Sequence, residues 1–528
     1  MKDEFGKTIF PPPGKTPRED TAAVMKFYKL PKSFPREALE EAKRVADAPV
    51  VASGRLDLRK KLIFTCDPES ARDFDDALSL EKDRKGNRVL GVHIADVSHY
   101  VKPGSALDRE AYRRSTSVYL CDRVVPMLPE NLSNGVCSLM PGVDRYAFSV
   151  FITFDREGNP VGRSFAKSVI RSKARYTYEQ VMSVISGGSA PGRKKDARLE
   201  KTIRAISVLA QQLRARRFAS GALDLEVPEA EVILDADGEM SGLVTRPYDE
   251  SHQMIEECMV AANEAVAKEL WTNGIKILAR LHETPDPEKL MLLRSELRGL
   301  GIKVGNLEQP KVFSQLLQTI KRNPIYPTLA MMVLRSMKKA VYDAKTIGHF
   351  GLAKRYYAHF TSPIRRYPDL TLHRQLAAYL ENRAKAKVPP RLLERWAEHT
   401  SEREETAAEA ERGLLEIKKF RLLEAQIATR QILDYDAVIV KCAPYGCFVE
   451  IPELAVSGLV HVSLLSHRYV EFNESDQSLS APGQSWRIGD RIRVHVSNVD
   501  FRERKVDFVP VREGRAPARP YPKKRRGR

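Results

Sequence analysis

Four aspartates stand within ten positions, Asp67-Pro-Glu-Ser-Ala-Arg-Asp73-Phe-Asp75-Asp76. Carboxylates that close repel one another and raise each other's pKa. Such a cluster needs either open water or a cation, and a random acidic loop is usually just solvated. Here apolar Leu62-Ile63-Phe64 precedes the cluster and Ala77-Leu78-Ser79-Leu80 follows it, which predicts a place at a sheet edge inside a domain. Oxygen ligands at this density suit Mg²⁺, with Mn²⁺ as a substitute, held by a few carboxylates plus substrate phosphates. Four of them would hold two ions at the ~3.5–4 Å separation that clamps attacking and leaving oxygens. The chemistry indicated is metal-assisted phosphodiester cleavage.

A second motif is basic, His359-Phe-Thr-Ser-Pro-Ile-Arg365-Arg366-Tyr-Pro-Asp369. Pro363 and Pro368 interrupt it, so the arginines are expected on a structured turn or at a helix start. A guanidinium meets phosphate through two parallel hydrogen bonds and stabilises charge developing on its oxygens. Taken alone, the pair fits a surface ion-pair network equally well. His93, Asp96 and His99, spaced by three, read as packing and hydrogen-bonding residues. Cys66, beside Asp67, reads as a small buried filler.

The elements that must position these groups belong to a long, basic chain. Its 528 residues carry 87 Lys and Arg against 69 Asp and Glu, a formal charge of +18. Basic surface draws in a polyanion while the acidic cluster is held back for metal. The six cysteines are scattered without CxxC spacing, and the N-terminus lacks the apolar core of a signal peptide. No uncharged stretch reaches the ~18 residues that span a bilayer. These features predict a reducing, cytoplasmic setting with no membrane partner.

Four regions follow in order. Residues 1–55 open with Pro11-Pro12-Pro13-Gly14 and a short amphipathic helix near Arg36–Ala46, and read as a connector without a core of its own. Residues 56–425 mix strands (Val89–Ile94, Phe148–Phe154) with helices (Leu199–Arg216, Gln253–Leu270, Pro287–Leu300) and a long charged helix over Pro390–Leu423. Residues 433–511 alternate apolar and polar in short runs, as a small β-barrel does. Residues 512–528 hold eight Lys or Arg against one Glu and predict a disordered basic tail. The fold class expected is α+β, a mixed α/β catalytic domain followed by an all-β barrel.

Asp67–Asp76, Val92-His-Ile-Ala-Asp-Val-Ser-His99, Val125-Pro-Met-Leu-Pro129, Ile255-Glu-Glu-Cys-Met259 and Thr361-Ser-Pro-Ile-Arg-Arg366 come in the order seen in the RNB ribonucleases. The chain resembles that family, which includes ribonucleases II and R, over roughly residues 20–528. The resemblance implies an RNB catalytic domain that hydrolyses RNA processively from the 3′ end with Mg²⁺, releasing nucleoside 5′-monophosphates. It implies that Asp67, Asp73, Asp75 and Asp76 are the catalytic, metal-holding aspartates. Arg365 would sit at the scissile phosphate, with Glu411 the nearby acidic residue and Arg366 on the RNA. Tyr119 would stack on the terminal base, a contact that suits a sequence-tolerant enzyme because every base offers a π-face. Without the resemblance, Tyr119 reads as an ordinary strand tyrosine. Leu225 stands where the family often has the opposing phenylalanine of the base clamp. Tyr178 and Glu256 match positions near the sugar, where a 2′-hydroxyl separates RNA from DNA.

The barrel segments Tyr445-Gly-Cys-Phe448-Val449 and Gly458-Leu-Val-His461-Val-Ser463 resemble OB-fold RNA-binding domains of the S1 type. Phe448 and His461 are the RNA-facing candidates, with Phe448 equally able to be core, and Tyr469 is a further one. Family members similar to this chain carry cold-shock-type OB domains ahead of the catalytic domain, whereas this sequence arrives there after a linker. That predicts a looser grip on long single strands and easier admission of duplex. The partner expected is RNA, single-stranded or with a 3′ overhang, bound by a monomer that works with the ribosome or degradation machinery. Competing readings are a catalytically weak RNA-binding regulator of the same family and a phosphorolytic exonuclease.

Overall fold

The structure is a computed structural model and describes residues 9–224, 230–245, 248–323, 325–474 and 477–511. At its centre lie β1 (Leu56–Asp57), β2 (Phe64–Cys66), β3 (Asp76–Lys82), β4 (Arg88–Ala95), β5 (Arg145–Phe154), β6 (Pro160–Ile170) and β7 (Ala174–Tyr176). They form one sheet in the order β1-β6-β5-β4-β3-β2-β7. Neighbours run antiparallel except the outer pairs β1–β6 and β2–β7, which are parallel.

Alternation along β4 sends Leu90, Val92 and Ile94 to one face and Gly91, His93 and Ala95 to the other, and all six are buried. The first face joins Phe148 and Val150 to Ile203, Ile206, Met254 and Cys258 of the helices Ala197–Ala219 and Glu250–Thr272. The second packs Ala77, Ala95 and Ala147 on Ala38, Leu107 and Leu370. A sheet covered on both faces needs nearly continuous apolar strands, which is how β4 and β5 read. Both predicted strands lie within β4 and β5, and the helices predicted over Leu199–Arg216 and Gln253–Leu270 lie within observed ones. The second face also carries one polar row, in which His93 contacts Ser79 Oγ at 2.9 Å and Ser149 Oγ at 2.7 Å. Gly91 leaves room for it, since a Cβ there would fall 2.4 Å from Ser79 Oγ.

Two expectations are corrected. The acidic cluster is not on a sheet edge: β2 is flanked by β3 and β7, and the aspartates fill the β2–β3 connection at the strand ends. Nor is the N-terminal region a connector without a core. Val24, Met25, Tyr28 and Leu30 bury against Ala410, Leu414 and Ile417 of the long helix Pro390–Thr429. Asp20, fully buried, receives Lys418 Nζ at 3.0 Å and Arg421 Nη2 at 2.9 Å. Pro11 lies so close to the long helix that a Cβ on Gly413 would fall 2.9 Å from its Cγ. Periodicity along a segment of this length cannot reveal that its apolar residues match a stripe some 390 positions away.

After the long helix, β8 (Tyr435–Ala443), β9 (Gly446–Ile451), β10 (Val456–His461), β11 (Arg491–Asp500) and β12 (Lys505–Pro510) close a barrel in the order β8-β9-β10-β12-β11. Its interior holds Ile439, Val449, Val460, Val494 and Phe508, and it rests on Phe420 and Leu423 of the long helix. Alternation places Cys447, Val449 and Ile451 inward and Phe448 outward. The basic tail expected over 512–528 lies outside the described residues.

Candidate active site

The loop joining β2 to β3 is shaped before any ligand is considered. Asp67 N–H donates to Tyr176 O at 3.1 Å, Phe74 N–H to Ser138 Oγ at 3.0 Å, and Ser138 Oγ in turn to Arg72 O at 2.7 Å. Phe74 is buried in the second core and anchors the loop between Asp73 and Asp75. The basic motif then meets the acidic one. Ile364 N–H donates to Asp75 Oδ1 at 2.9 Å, and Arg365 Nε stands 3.6 Å from Asp75 Oδ2. Two stretches 289 residues apart in sequence thus make one site.

Burial here works against charge. Asp67 Oδ2, Asp75 Oδ2 and Asp76 Oδ2 are buried without a hydrogen-bond partner. An unsatisfied buried polar group costs about 1–3 kcal/mol, more when charged, and a cation bound among these oxygens would relieve that cost. Burial, then the Asp76 charge, pushes the Asp67 pKa up to about 8, while burial pushes Asp76 up to about 6 against the opposing charge of Arg365. Burial also lifts Asp75 well above the carboxylate range. A cation would reverse all three shifts. Among the described residues no three His, Cys, Asp or Glu side chains are arranged to hold a metal ion by themselves.

Arg365 and Arg366 part company. Arg366, expected on RNA, instead donates Nε and Nη2 to Asp369 at 2.9 and 2.8 Å, and Asp369 is fully buried. Asp369 also accepts the Ser362 N–H at 2.8 Å, so Arg366 braces the turn on which Arg365 stands. Removing a guanidinium from a buried carboxylate is costly, which ties Arg366 to this inward role. Arg366 is the N-cap of the helix Tyr367–Glu381, as the proline spacing predicts. The Arg365 side chain is 43% exposed, and its Nη2 donates to Ser362 Oγ at 3.1 Å.

The aromatic side of the site hangs on the same turn. Ser117 N–H donates to Arg365 O at 3.0 Å and Tyr367 N–H to Ser115 O at 2.9 Å, which carries Tyr119 in beside the cluster. Its hydroxyl lies 3.5 Å from Asp73 Oδ2 and its ring is partly exposed. Glu411 of the long helix accepts the Tyr119 backbone N–H at 2.7 Å, so it grips the aromatic strand. Tyr178 opens the helix Tyr178–Ile185, set by the reciprocal Thr177–Gln180 cap, and stacks on His252 with ring centroids 3.9 Å apart. Glu256 accepts Arg217 Nη2 at 2.9 Å and the Tyr248 hydroxyl. Leu225 lies outside the described residues. Phe448 and His461 stand on the barrel, where Phe448 pairs edge-on with Tyr445 at 6.0 Å and His461 Nδ1 accepts the Ser463 N–H.

Sequence reasoning passed over Ser138, His252, Tyr248 and Arg175. Each lies in a segment without a motif, and only the pairing of strands and helices brings it to the site.

Residues 55–382 match the RNB domain family and residues 434–509 the S1 RNA binding domain family. Ribonuclease R of Thermotoga maritima is 41% identical over 534 residues, covering 96% of this chain and 74% of that protein. The solved structure of Mycoplasma genitalium RNase R in complex with ribose-methylated single-stranded RNA is similar with TM-score 0.85 and 29% identity, over 94% of this chain and 78% of that one. The same protein in complex with double-stranded RNA gives TM-score 0.81 and 28% identity, over 94% and 84% of the two chains.

Proposed function

The chain belongs to the RNB family of ribonucleases and is a hydrolytic 3′→5′ exoribonuclease related to ribonuclease R; we propose that Asp67, Asp73, Asp75 and Asp76 are its metal-holding residues. The observation that carries this reading is the set of three buried carboxylate oxygens without a hydrogen-bond partner on Asp67, Asp75 and Asp76, that of Asp75 lying 3.6 Å from Arg365 Nε. Mg²⁺ there, or Mn²⁺ in its place, supplies Lewis acidity at the scissile phosphate and a lowered pKa for the attacking water. Arg365 faces the phosphoryl oxygens, where a guanidinium stabilises developing charge. Tyr119 stacks on the terminal base, and Tyr178 with Glu256 lines the sugar and its 2′-hydroxyl. Glu411 and Arg366 act one step back, by holding Tyr119 and the Arg365 turn. Phe448 and His461 on the barrel track single-stranded RNA, or the 3′ overhang of a duplex, and hold it between successive cuts.

Processive action releasing nucleoside 5′-monophosphates is part of the same proposal. Six free cysteines and a lack, among the described residues, of any helix long and apolar enough to cross a membrane support a cytoplasmic setting. Thin-layer analysis of RNA digests, with and without inorganic phosphate, checks the chemistry. Monophosphates whose yield ignores phosphate are expected, and diphosphates that require it would refute hydrolysis. The regulator reading is tested in the same digest, because a weak catalyst leaves RNA intact at stoichiometric enzyme.

A further inference from the structure

Arg175 belongs to none of the roles above, yet it meets the acidic loop at several points. It lies in β7, in register with Thr65 of β2, two residues before Asp67. Its Nη2 donates to the carbonyls of Pro68 and Glu69 at 2.6 and 2.8 Å. Its guanidinium stands 5.2 Å from the centre of the Phe74 ring, and its Nε is buried without a hydrogen-bond partner. Its charge acts on Asp67. Arg193 secures it in turn, donating to the Arg175 carbonyl at 2.5 Å while covering the Tyr176 ring.

We propose that Arg175 is the positioning residue that keeps the acidic loop in its metal-accepting shape while no metal is bound. It grips the first two residues after Asp67, lies on Phe74 between Asp73 and Asp75, and offsets part of the repulsion among the carboxylates. A neutral side chain could fill the space but not the charge. Lysine supplies the charge and can keep part of the grip, because both carbonyls accept from the single Nη2 atom, but it loses the planar face that lies toward the Phe74 ring. This role rests on the reading of the loop as a metal site.

The test compares thermal unfolding of the full chain in EDTA and in saturating Mn²⁺, with Mn²⁺ binding followed by electron paramagnetic resonance. Arg175→Met lowers Tm in EDTA, and Mn²⁺ removes at least half of that loss, because the cation supplies the missing countercharge. Arg175→Lys loses less than Arg175→Met in EDTA. In an Asp67→Asn background, where one repelling charge is gone, Arg175→Met costs at most half as much. An equal loss with and without Mn²⁺, undiminished by Asp67→Asn, overturns the proposal and leaves Arg175 as packing. Should Arg175→Met not fold, Arg175→Lys decides by the same comparison of EDTA with Mn²⁺. Failure of the wild-type protein to bind Mn²⁺ overturns the metal-site reading itself, and this role with it.

Discussion

At the scale of single residues, the site is a set of carboxylates held where they are least comfortable. Asp75 is the most constrained, taking a backbone N–H on one oxygen and leaving the other buried and open beside Arg365. Asp75→Asn keeps the shape and removes the charge, so RNA binding should survive while cleavage falls by at least ~100-fold, the upper range for merely outer-shell changes at metal sites. Gel shift and product assays on one preparation check it, and retained cleavage removes the assignment. A pH dependence follows from the raised pKa values near 8 for Asp67 and 6 for Asp76. An unfolded aspartate titrates near ~3.9, so above that pH the folded protein binds more protons than the unfolded one and loses stability as pH rises. In EDTA, Tm should therefore fall from about pH 5 to about pH 8, and saturating Mg²⁺ should flatten that fall; parallel curves with and without Mg²⁺ contradict it. With Tyr119 in its proposed place on the terminal base, Tyr119→Ala should forfeit a stack worth ~1–3 kcal/mol and leave longer end products on a sequencing gel while early cleavage continues. The chemistry of these residues was legible in their types and spacing. The inward turn of Arg366 was not: Asp369 lies only three residues on, but its complete burial, which draws the guanidinium inward, is set by packing.

At the scale of elements, the long helix Pro390–Thr429 ties distant parts of the chain together. Glu411 on it accepts the Tyr119 N–H, and Lys418 on it reaches buried Asp20, Pro17 O and Gly238 O. Breaking a buried ion pair by removing one partner costs about 3–5 kcal/mol. Lys418→Met should lower stability by that order and expose the segment around Asp20–Phe27 to protease, as limited proteolysis with mass spectrometry would show. An unchanged cleavage pattern would mean the clasp is held by Arg421 and the apolar contacts without Lys418. The helix itself was readable from its periodicity. Its partners were not, since Val24 and Met25 look like any short apolar pair until Leu414 and Ile417 are set against them.

At the scale of the whole molecule, a chain of formal charge +18 joins an RNB domain to an S1 barrel, and the proposed function gives that barrel a second hold on RNA. Phe448 and Tyr445 project from the barrel without supporting its interior. Replacing both with Ala should raise KM for long single-stranded RNA with little change in kcat, and a loss in kcat of the same size would place them elsewhere in the reaction. Binding should weaken with salt, log K falling by about 0.7 per phosphate neutralised for each tenfold rise in salt.

The division of labour between sequence and structure follows from range. Strand alternation and helix periodicity are local, so the α+β class and the closing barrel could be read from neighbours in the chain, and the proposed metal and phosphate roles rest on the equally local spacing of the aspartates and the arginine pair. Which oxygens end up buried and unpartnered depends on contacts between residues far apart, as when Ile364 caps Asp75. So do the tether from Glu411 and the grip of Arg175. No local pattern encodes those distances. The acidic cluster by itself pointed toward a metal and a phosphodiester; only the tertiary structure set which of its oxygens are buried without a partner and which distant groups hold the loop in shape.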